Sequence, residues 1–357
     1  MQSLLTITWD MSRGLDLGII TLRYYSLLFA LGFVLGYMLM KRIFKKEGVP
    51  QEKLDTLLTY IVVATIVGAR LGHVFFYQWD YYSENLLEIF MVWEGGLASH
   101  GAAVAIIIAV IIYCRKVLKK PALWMLDRIV LTVILAAVLI RVGNWFNSEI
   151  YGDIENSAFQ TVFTDPPRQR IMASFDKVIE SVEYTKLGGE EITDTIDYPL
   201  FNMQFEILPG VSQEVATATI EAKVIPYVNS FDKENRNIIF PEGATVVWNE
   251  AKPNIATVEV LGVPRSPTQL YEAFAYFLIF LTLYRLYLVK SLANKQGFIF
   301  GMFLIMLWGF RFFIEYFKEV QVTREVGQSL NTGQYLSIPL IIAGIYFVVA
   351  AKNKSNE

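Results

Sequence analysis

Seven stretches of this chain are nearly free of charge. Each runs for about 20 residues, the length that crosses a hydrocarbon core about 30 Å thick as a helix. They fall near residues 19–40, 55–77, 97–114, 122–146, 267–288, 297–317 and 334–351. Composition agrees: 54% of the 357 residues are hydrophobic, mean hydropathy is +0.41, and 18% are charged, against about a quarter in an ordinary globular domain. The expected fold is an all-α polytopic membrane protein of seven transmembrane helices. Cys114 is the chain's one cysteine, so no disulfide framework is expected. The first 18 residues carry Asp10, Arg13 and Asp16 and lack the basic-then-apolar order of a cleavable signal peptide.

Basic residues follow every second run. Lys41, Arg42, Lys45 and Lys46 follow the first, and Arg115, Lys116, Lys119 and Lys120 the third. Arg285, Lys290 and Lys295 follow the fifth, with Lys352 and Lys354 in the tail. The positive-inside rule puts these loops in the cytoplasm, so the N-terminus is expected outside and the C-terminus inside. Residues 153–264, between the fourth and fifth runs, then lie outside. They hold 18 acidic against 8 basic residues, a net of −10, and nothing in the charge pattern points to nucleic acid. Stretches 217–225, 244–250 and 255–263 alternate apolar and polar residues, as half-buried strands do. The expected organisation is therefore a membrane part at 1–152, a small β-rich extracytoplasmic insert at 153–264, and a second membrane part at 265–357.

Polar groups inside spans are costly and are functional candidates by default. Arg70 lies late in the second run, Arg141 and Asn144 at the end of the fourth, and Arg311 late in the sixth with Glu315 one turn on. Arg23, Tyr24 and Tyr25 open the first, His100 the third, and Gln269, Tyr271 and Glu272 the fifth. With the direction of each span fixed, all of them fall in the outer third of the bilayer. They describe one polar site facing the outer leaflet. Its arginines are fork-shaped cations that match phosphate or carboxylate, so an anionic lipid headgroup is the expected ligand. Taken singly, each arginine reads equally as a side chain snorkelling to the interface. Tyr24, Tyr25, Trp93 and Trp145 read as interfacial belt aromatics, Gly32 and Gly36 as a helix-packing pair, and His73 as an interfacial or packing histidine.

Four stretches resemble the bacterial prolipoprotein diacylglyceryl transferases: RYYSLLF (23–29), WEGGLASHG (93–101), RVGNWFNSEIYG (141–152), and RSPTQLYEA (265–273) together with FRFFIEYF (310–317). Ser266 stands where members commonly carry histidine, Ala102 replaces a second glycine, and the KEVQ after Phe317 replaces a usual Pro–Asp ending. The resemblance implies a multi-pass enzyme of the bacterial cytoplasmic (inner) membrane. Its partners are phosphatidylglycerol and the signal peptide and lipobox cysteine of a preprolipoprotein. The diacylglyceryl group moves to the cysteine thiol, a thioether forms, and glycerol 1-phosphate leaves. No cofactor or metal is called for. By motif match, Arg141 and Arg311 bind the phosphate, and Asn144, Asn147, Glu149, Gly152 and Glu315 position the headgroup and the arginines. Arg70, Gln269, Tyr271 and Glu272 join the binding set, and Tyr25 and His100 are candidates for hydrogen bonding and proton transfer. Two readings compete. A lipid- or anion-binding transporter favours a site at mid-membrane, and a receptor explains the insert but not the intramembrane arginines.

Overall fold

A computed structural model describes residues 6–18, 21–154, 159–192, 196–232, 236–318 and 330–351. Seven helices among them are long and apolar enough to cross a membrane: Tyr24–Lys46, Gln51–Tyr77, Ser99–Leu118, Ala122–Phe146, Thr268–Leu288, Phe298–Phe317 and Thr332–Ala350. They are called spans one to seven below. The first is displaced from its expected position. Three short strands precede it, β1 (Ile7–Trp9), β2 (Gly14–Asp16) and β3 (Thr21–Arg23), and β3 pairs antiparallel with β2. That pairing holds the chain extended up to Arg23. At its other end span one outruns its apolar run, because Met40, Ile43 and Phe44 are buried at helical spacing while Lys41, Arg42, Lys45 and Lys46 stay exposed. Span two begins directly after Pro50, whose fixed φ suits a helix entry.

The chain divides into two compact units. The unit of residues 30–138, 276–309 and 337–357 is helical. Small residues let its backbones approach: a Cβ on Gly72 would stand 2.7 Å from the Cα of Gly101, and one on Gly36 would meet the Cβ of Thr132 at 3.3 Å. Gly36 is therefore the packing glycine that its pattern predicts. Polar groups cluster where spans one, four, five and six carry their charges. Glu47 accepts from Arg128 at 3.0 and 2.9 Å and from the Tyr287 hydroxyl at 2.9 Å. Asp127 accepts from the amides of Gly297 and Phe300 at 2.7 and 2.9 Å, which satisfies orphan donors at the start of span six. Cys114 is a buried free thiol.

The unit of residues 1–29, 139–275 and 310–336 contains the sheet. Strand β4 (Thr161–Phe163) runs parallel to β1. Strands β5 (Ile179–Ile192) and β6 (Asp197–Ile207) are the longest, followed by β7 (Ile238–Ile239), β8 (Val247–Trp248) and β9 (Ile255–Gly262). The antiparallel order is β5-β6-β9-β7, with β8 also on β9. Phe201, Met203, Phe205 and Ile207 of β6 alternate into the core, the period-two signature of a sheet with one covered face.

Three expectations for this region change. Residues 217–225 are not a strand: the chain is helical from Gln213 to Asn229, with a π-turn at Ile220–Val224. Ala216, Ile220, Val224 and Val228 recur every fourth residue and are all buried, and Ser212 caps the start by accepting from the Val215 amide. The four-residue row prevails over the local alternation because it buries one stripe against the sheet. Stretch 244–250 contributes only the two residues of β8, whereas 255–263 is strand almost throughout as β9. Trp145 is not a belt residue. It is 6% exposed and packs on Trp9 and Phe163, ring centroids 4.7 and 5.2 Å away.

Candidate functional site

Most of the expected site residues belong to the sheet-bearing unit: Tyr25, Arg141, Asn144, Asn147, Glu149, Gly152, Gln269, Tyr271, Glu272, Arg311 and Glu315. Span four ends in a tight turn. Asn147 and Ser148 amides bond back to Gly143 and Trp145, and the Glu149 amide to Asn144. Ser148 and Ile150 sit at φ +52° and +58°, a region costly for a β-branched residue. Neighbouring side chains hold the strained turn. Gln269 Nε2 donates to the Glu149 carbonyl at 2.7 Å, and Thr268 Oγ1 to the Ile150 carbonyl at 3.2 Å. Inside the turn, the Glu149 carboxylate accepts from Asn144 Nδ2 at 2.7 Å and Asn147 Nδ2 at 3.2 Å. Arg141 Nη1 lies 3.4 Å from Asn144 Oδ1. Tyr25, at the start of span one, lies against Gly143, where an added Cβ would come 2.8 Å from its ring. It is within electrostatic reach of both Glu149 and Arg141.

Charged groups from three chain segments form a continuous row. Arg141 Nε pairs with Glu272 Oε2 at 3.2 Å. Lys318 Nζ contacts Glu272 Oε1 at 3.1 Å and Glu315 Oε1 at 3.3 Å. Glu315 Oε1 lies 3.7 Å from Arg311 Nε, one turn earlier on the same helix. The Glu315 carboxylate is further held by Asn331 Nδ2 at 3.2 Å and faces Gly333, where a Cβ would come within 2.7 Å of it. The row is graded in exposure. The Glu272 side chain is wholly buried, Arg141 is 12% exposed and Arg311 is 34% exposed, so the row opens toward Arg311.

Gly152 is the junction that makes this row possible. Its amide donates to the Ser266 carbonyl at 2.9 Å, and the next amide, Asp153, to the Phe317 carbonyl at 3.2 Å. It also pairs as an isolated bridge with Lys318. Beneath it, Arg265 is fully buried, over the Tyr151 ring at 4.5 Å, with Nη2 donating to the Arg236 carbonyl at 2.9 Å. Sequence reasoning passed over Arg265, Thr268, Lys318 and Asn331 as individual site residues. Arg265 and Thr268 lie inside a quoted motif, Lys318 opens the KEVQ stretch that departs from the family's ending, and Asn331 lies outside every motif. Tyr271 is half-buried and makes no side-chain hydrogen bond among the described residues.

Arg70 and His100 belong to the helical unit. Arg70 is 3% exposed and binds backbone. Nε donates to the Ile89 carbonyl at 2.9 Å, Nη1 to Gly95 at 2.7 Å, and Nη2 to Glu88. It pins the segment between spans two and three, where the Ala98 amide also bonds to the Ala69 carbonyl. His100 follows that segment directly. Its ring is exposed and lies against Phe76 and Tyr77, centroids 5.1 and 5.6 Å away. His73 bonds Gln78 at 3.1 Å and stacks on Tyr77, a packing histidine as expected.

The sequence model of the prolipoprotein diacylglyceryl transferase family matches residues 14–350. The chain belongs to this family. Several phosphatidylglycerol–prolipoprotein diacylglyceryl transferases resemble it over more than nine-tenths of their length. The one from Tolumonas auensis is 33% identical over 96% of both chains, and that from Chloroherpeton thalassium 32% over 96% of this chain and 93% of its own. The one from Porphyromonas gingivalis is 32% identical over 97% and 94%. Membership in a transferase family decides against the transporter and receptor readings. The family match also runs through the sheet-bearing region, so residues 153–264 belong to the matched span.

Proposed function

We propose that this protein transfers the diacylglyceryl group of phosphatidylglycerol to the lipobox cysteine of preprolipoproteins, in the bacterial cytoplasmic membrane, as the first step of lipoprotein maturation. The observation that carries the reading is the row Arg141–Glu272–Lys318–Glu315–Arg311 at the ends of apolar spans. A phosphodiester headgroup at a membrane edge needs cations there, and guanidinium forks match its oxygens. Basic loops on the other ends of the spans support a reading with the N-terminus and residues 153–264 outside and the row at the outer leaflet.

The substrate thiol loses its proton, and its sulfur attacks the glyceryl carbon that carries the phosphate ester. The C–S bond forms, the C–O bond breaks, and the electron pair leaves on the phosphate oxygen of glycerol 1-phosphate. Arg141 and Arg311 bind that phosphate and stabilise the charge that grows on it. Glu272 and Glu315 orient the two guanidinium groups. Asn144 and Asn147 hold Glu149 for the glycerol hydroxyls, and Gly152 and Gln269 fix the turn that carries them. His100 takes the thiol proton, with Tyr25 as a hydrogen-bond donor beside the headgroup. Arg70 acts through the segment before His100, which it holds by three backbone carbonyls.

The test uses purified protein in detergent with phosphatidylglycerol labelled in the glycerol headgroup and a lipobox peptide. The expected result is release of labelled glycerol phosphate and a peptide heavier by one diacylglyceryl group. Release of labelled glycerol phosphate without peptide modification means hydrolysis of phospholipase C type and overturns the reading.

A further inference from the structure

Lys318 lies outside every motif that supports the function, in the stretch where the chain departs from the family's usual ending. Its side chain is 2% exposed. A buried ammonium without partners is very costly. Lys318 has two carboxylates, Glu272 Oε1 at 3.1 Å and Glu315 Oε1 at 3.3 Å. Those same carboxylates contact Arg141 at 3.2 Å and Arg311 at 3.7 Å. The backbone of Lys318 is fixed as well, by its bridge to Gly152.

We infer that Lys318 is a positioning residue for headgroup binding, whose ammonium shares the two carboxylates with Arg141 and Arg311 and so keeps both guanidinium groups in the orientation that an anionic phosphate requires. The inference rests on the assignment of the two arginines to the phosphate. Glu272 divides its oxygens, one to Arg141 and one to Lys318. With Lys318 absent, both oxygens turn to Arg141. The carboxylate then meets the guanidinium two-to-two, the strongest geometry such a pair adopts, and competes with the lipid phosphate for the same fork. The charge count moves the same way. Among the described residues of the row, Lys318 is the cation shared by Glu272 and Glu315, and its loss removes one positive charge from beside the two arginines, which weakens attraction for an anion.

Lys318→Met keeps the length of the side chain and removes the charge. Hydrogen bonds to charged groups contribute about 1.5–3 kcal/mol each, and each tenfold corresponds to about 1.4 kcal/mol. The expected effect is therefore a rise of roughly 10- to 100-fold in KM for phosphatidylglycerol, with KM for the lipobox peptide unchanged. Lys318→Arg keeps the charge and retains most of the activity. The deciding variant is Lys318→Met with Glu272→Gln. Removing the unbalanced carboxylate releases Arg141, and KM for phosphatidylglycerol falls back at least threefold from the single variant. A purely structural lysine gives the opposite order, since a second buried change adds to the first.

Melting temperatures accompany each assay. If Lys318→Met is too unstable to purify, the double variant, which lacks both buried charges, is compared with Glu272→Gln alone. Near-equal KM values for that pair support the inference, and a further large rise overturns it. Wild-type KM in a well-folded Lys318→Met protein also overturns it. If the wild-type protein itself transfers nothing from phosphatidylglycerol, the proposed function fails and not the role of Lys318.

Discussion

Replacing Gly152 with alanine adds one methyl group at the point where three segments of the site meet. An ideal Cβ there stands 2.7 Å from Thr268 Cγ2, 2.8 Å from the Phe317 carbonyl oxygen and 2.9 Å from Ser266 Cβ, and ordinary contact begins at 3.4 Å. The neighbours must therefore retreat by about 0.5–0.7 Å, the difference between those distances. One neighbour is main chain and another is a Cβ, so rotation of a flexible side chain cannot absorb the shift. Overpacking of this kind costs about 1–3 kcal/mol, and the protein should remain folded. The retreat falls on Phe317 and its neighbour Lys318, and so on the row that holds the arginines. Displacing catalytic groups by about 1 Å can cost about 10²-fold, so Gly152→Ala should lower kcat by roughly 30- to 100-fold. The assay is steady-state transfer from phosphatidylglycerol to a lipobox peptide, with melting temperature recorded in parallel. Ser266→Gly removes one of the three collisions and should restore only part of the rate. A Gly152→Ala protein that works at the wild-type rate would refute the reasoning, because the crowding would then be absorbed without moving the site.

Arg141→Lys and Arg311→Lys should each impair turnover, since a point charge cannot replace a fork at a two-point contact. Wild-type turnover in both would remove the phosphate from these residues. Arg70→Lys cannot serve three carbonyls in the same geometry. It should accelerate hydrogen exchange in residues 85–98 and lower kcat while leaving KM for phosphatidylglycerol within about twofold. A large change in that KM would make Arg70 a headgroup ligand instead. His100→Gln should slow transfer near pH 7 by about 10²–10⁴-fold, the usual worth of general-base help. The deficit should shrink toward pH 9.5 as the free thiol, with a pKa near 8.5, ionises unaided. A ratio of mutant to wild type that stays flat between those pH values reduces His100 to a positioning role.

The seven spans were legible because apolar length is a one-dimensional property, and span one shifted where strand pairing holds Arg23 at its start and where buried Ile43 and Phe44 extend its end. The grouping of Arg141, Glu272, Arg311 and Glu315 was legible from depth alone. Depth does not show which groups touch. The depth expected for Arg70 matches that expected for Arg141, yet Arg70 binds the carbonyls of Glu88, Ile89 and Gly95. Lys318 and Asn331 were invisible because their meaning comes from contact with residues remote in the chain, Glu272 and Glu315 respectively. The misread stretch 217–225 contains both periods at once. Only the covered face, Ala216 to Val228, shows which of them buries more surface.

Glu315 is held by Asn331, and the Gln334 side chain reaches back to the Phe312 carbonyl at 3.3 Å. The arginine row is thus finished by residues at the head of the last span. A ribosome adds about 5–20 residues per second, so for the whole interval before that span is made, the nascent chain carries Tyr25, Arg141 and Glu272 in the membrane without the clasp on Glu315. Until the C-terminal helix is made, the Glu315 carboxylate lacks its Asn331 partner. A chain truncated before Asn331 is therefore expected to enter the membrane yet transfer no diacylglyceryl group, and transfer by such a chain would show that the clasp on Glu315 is dispensable.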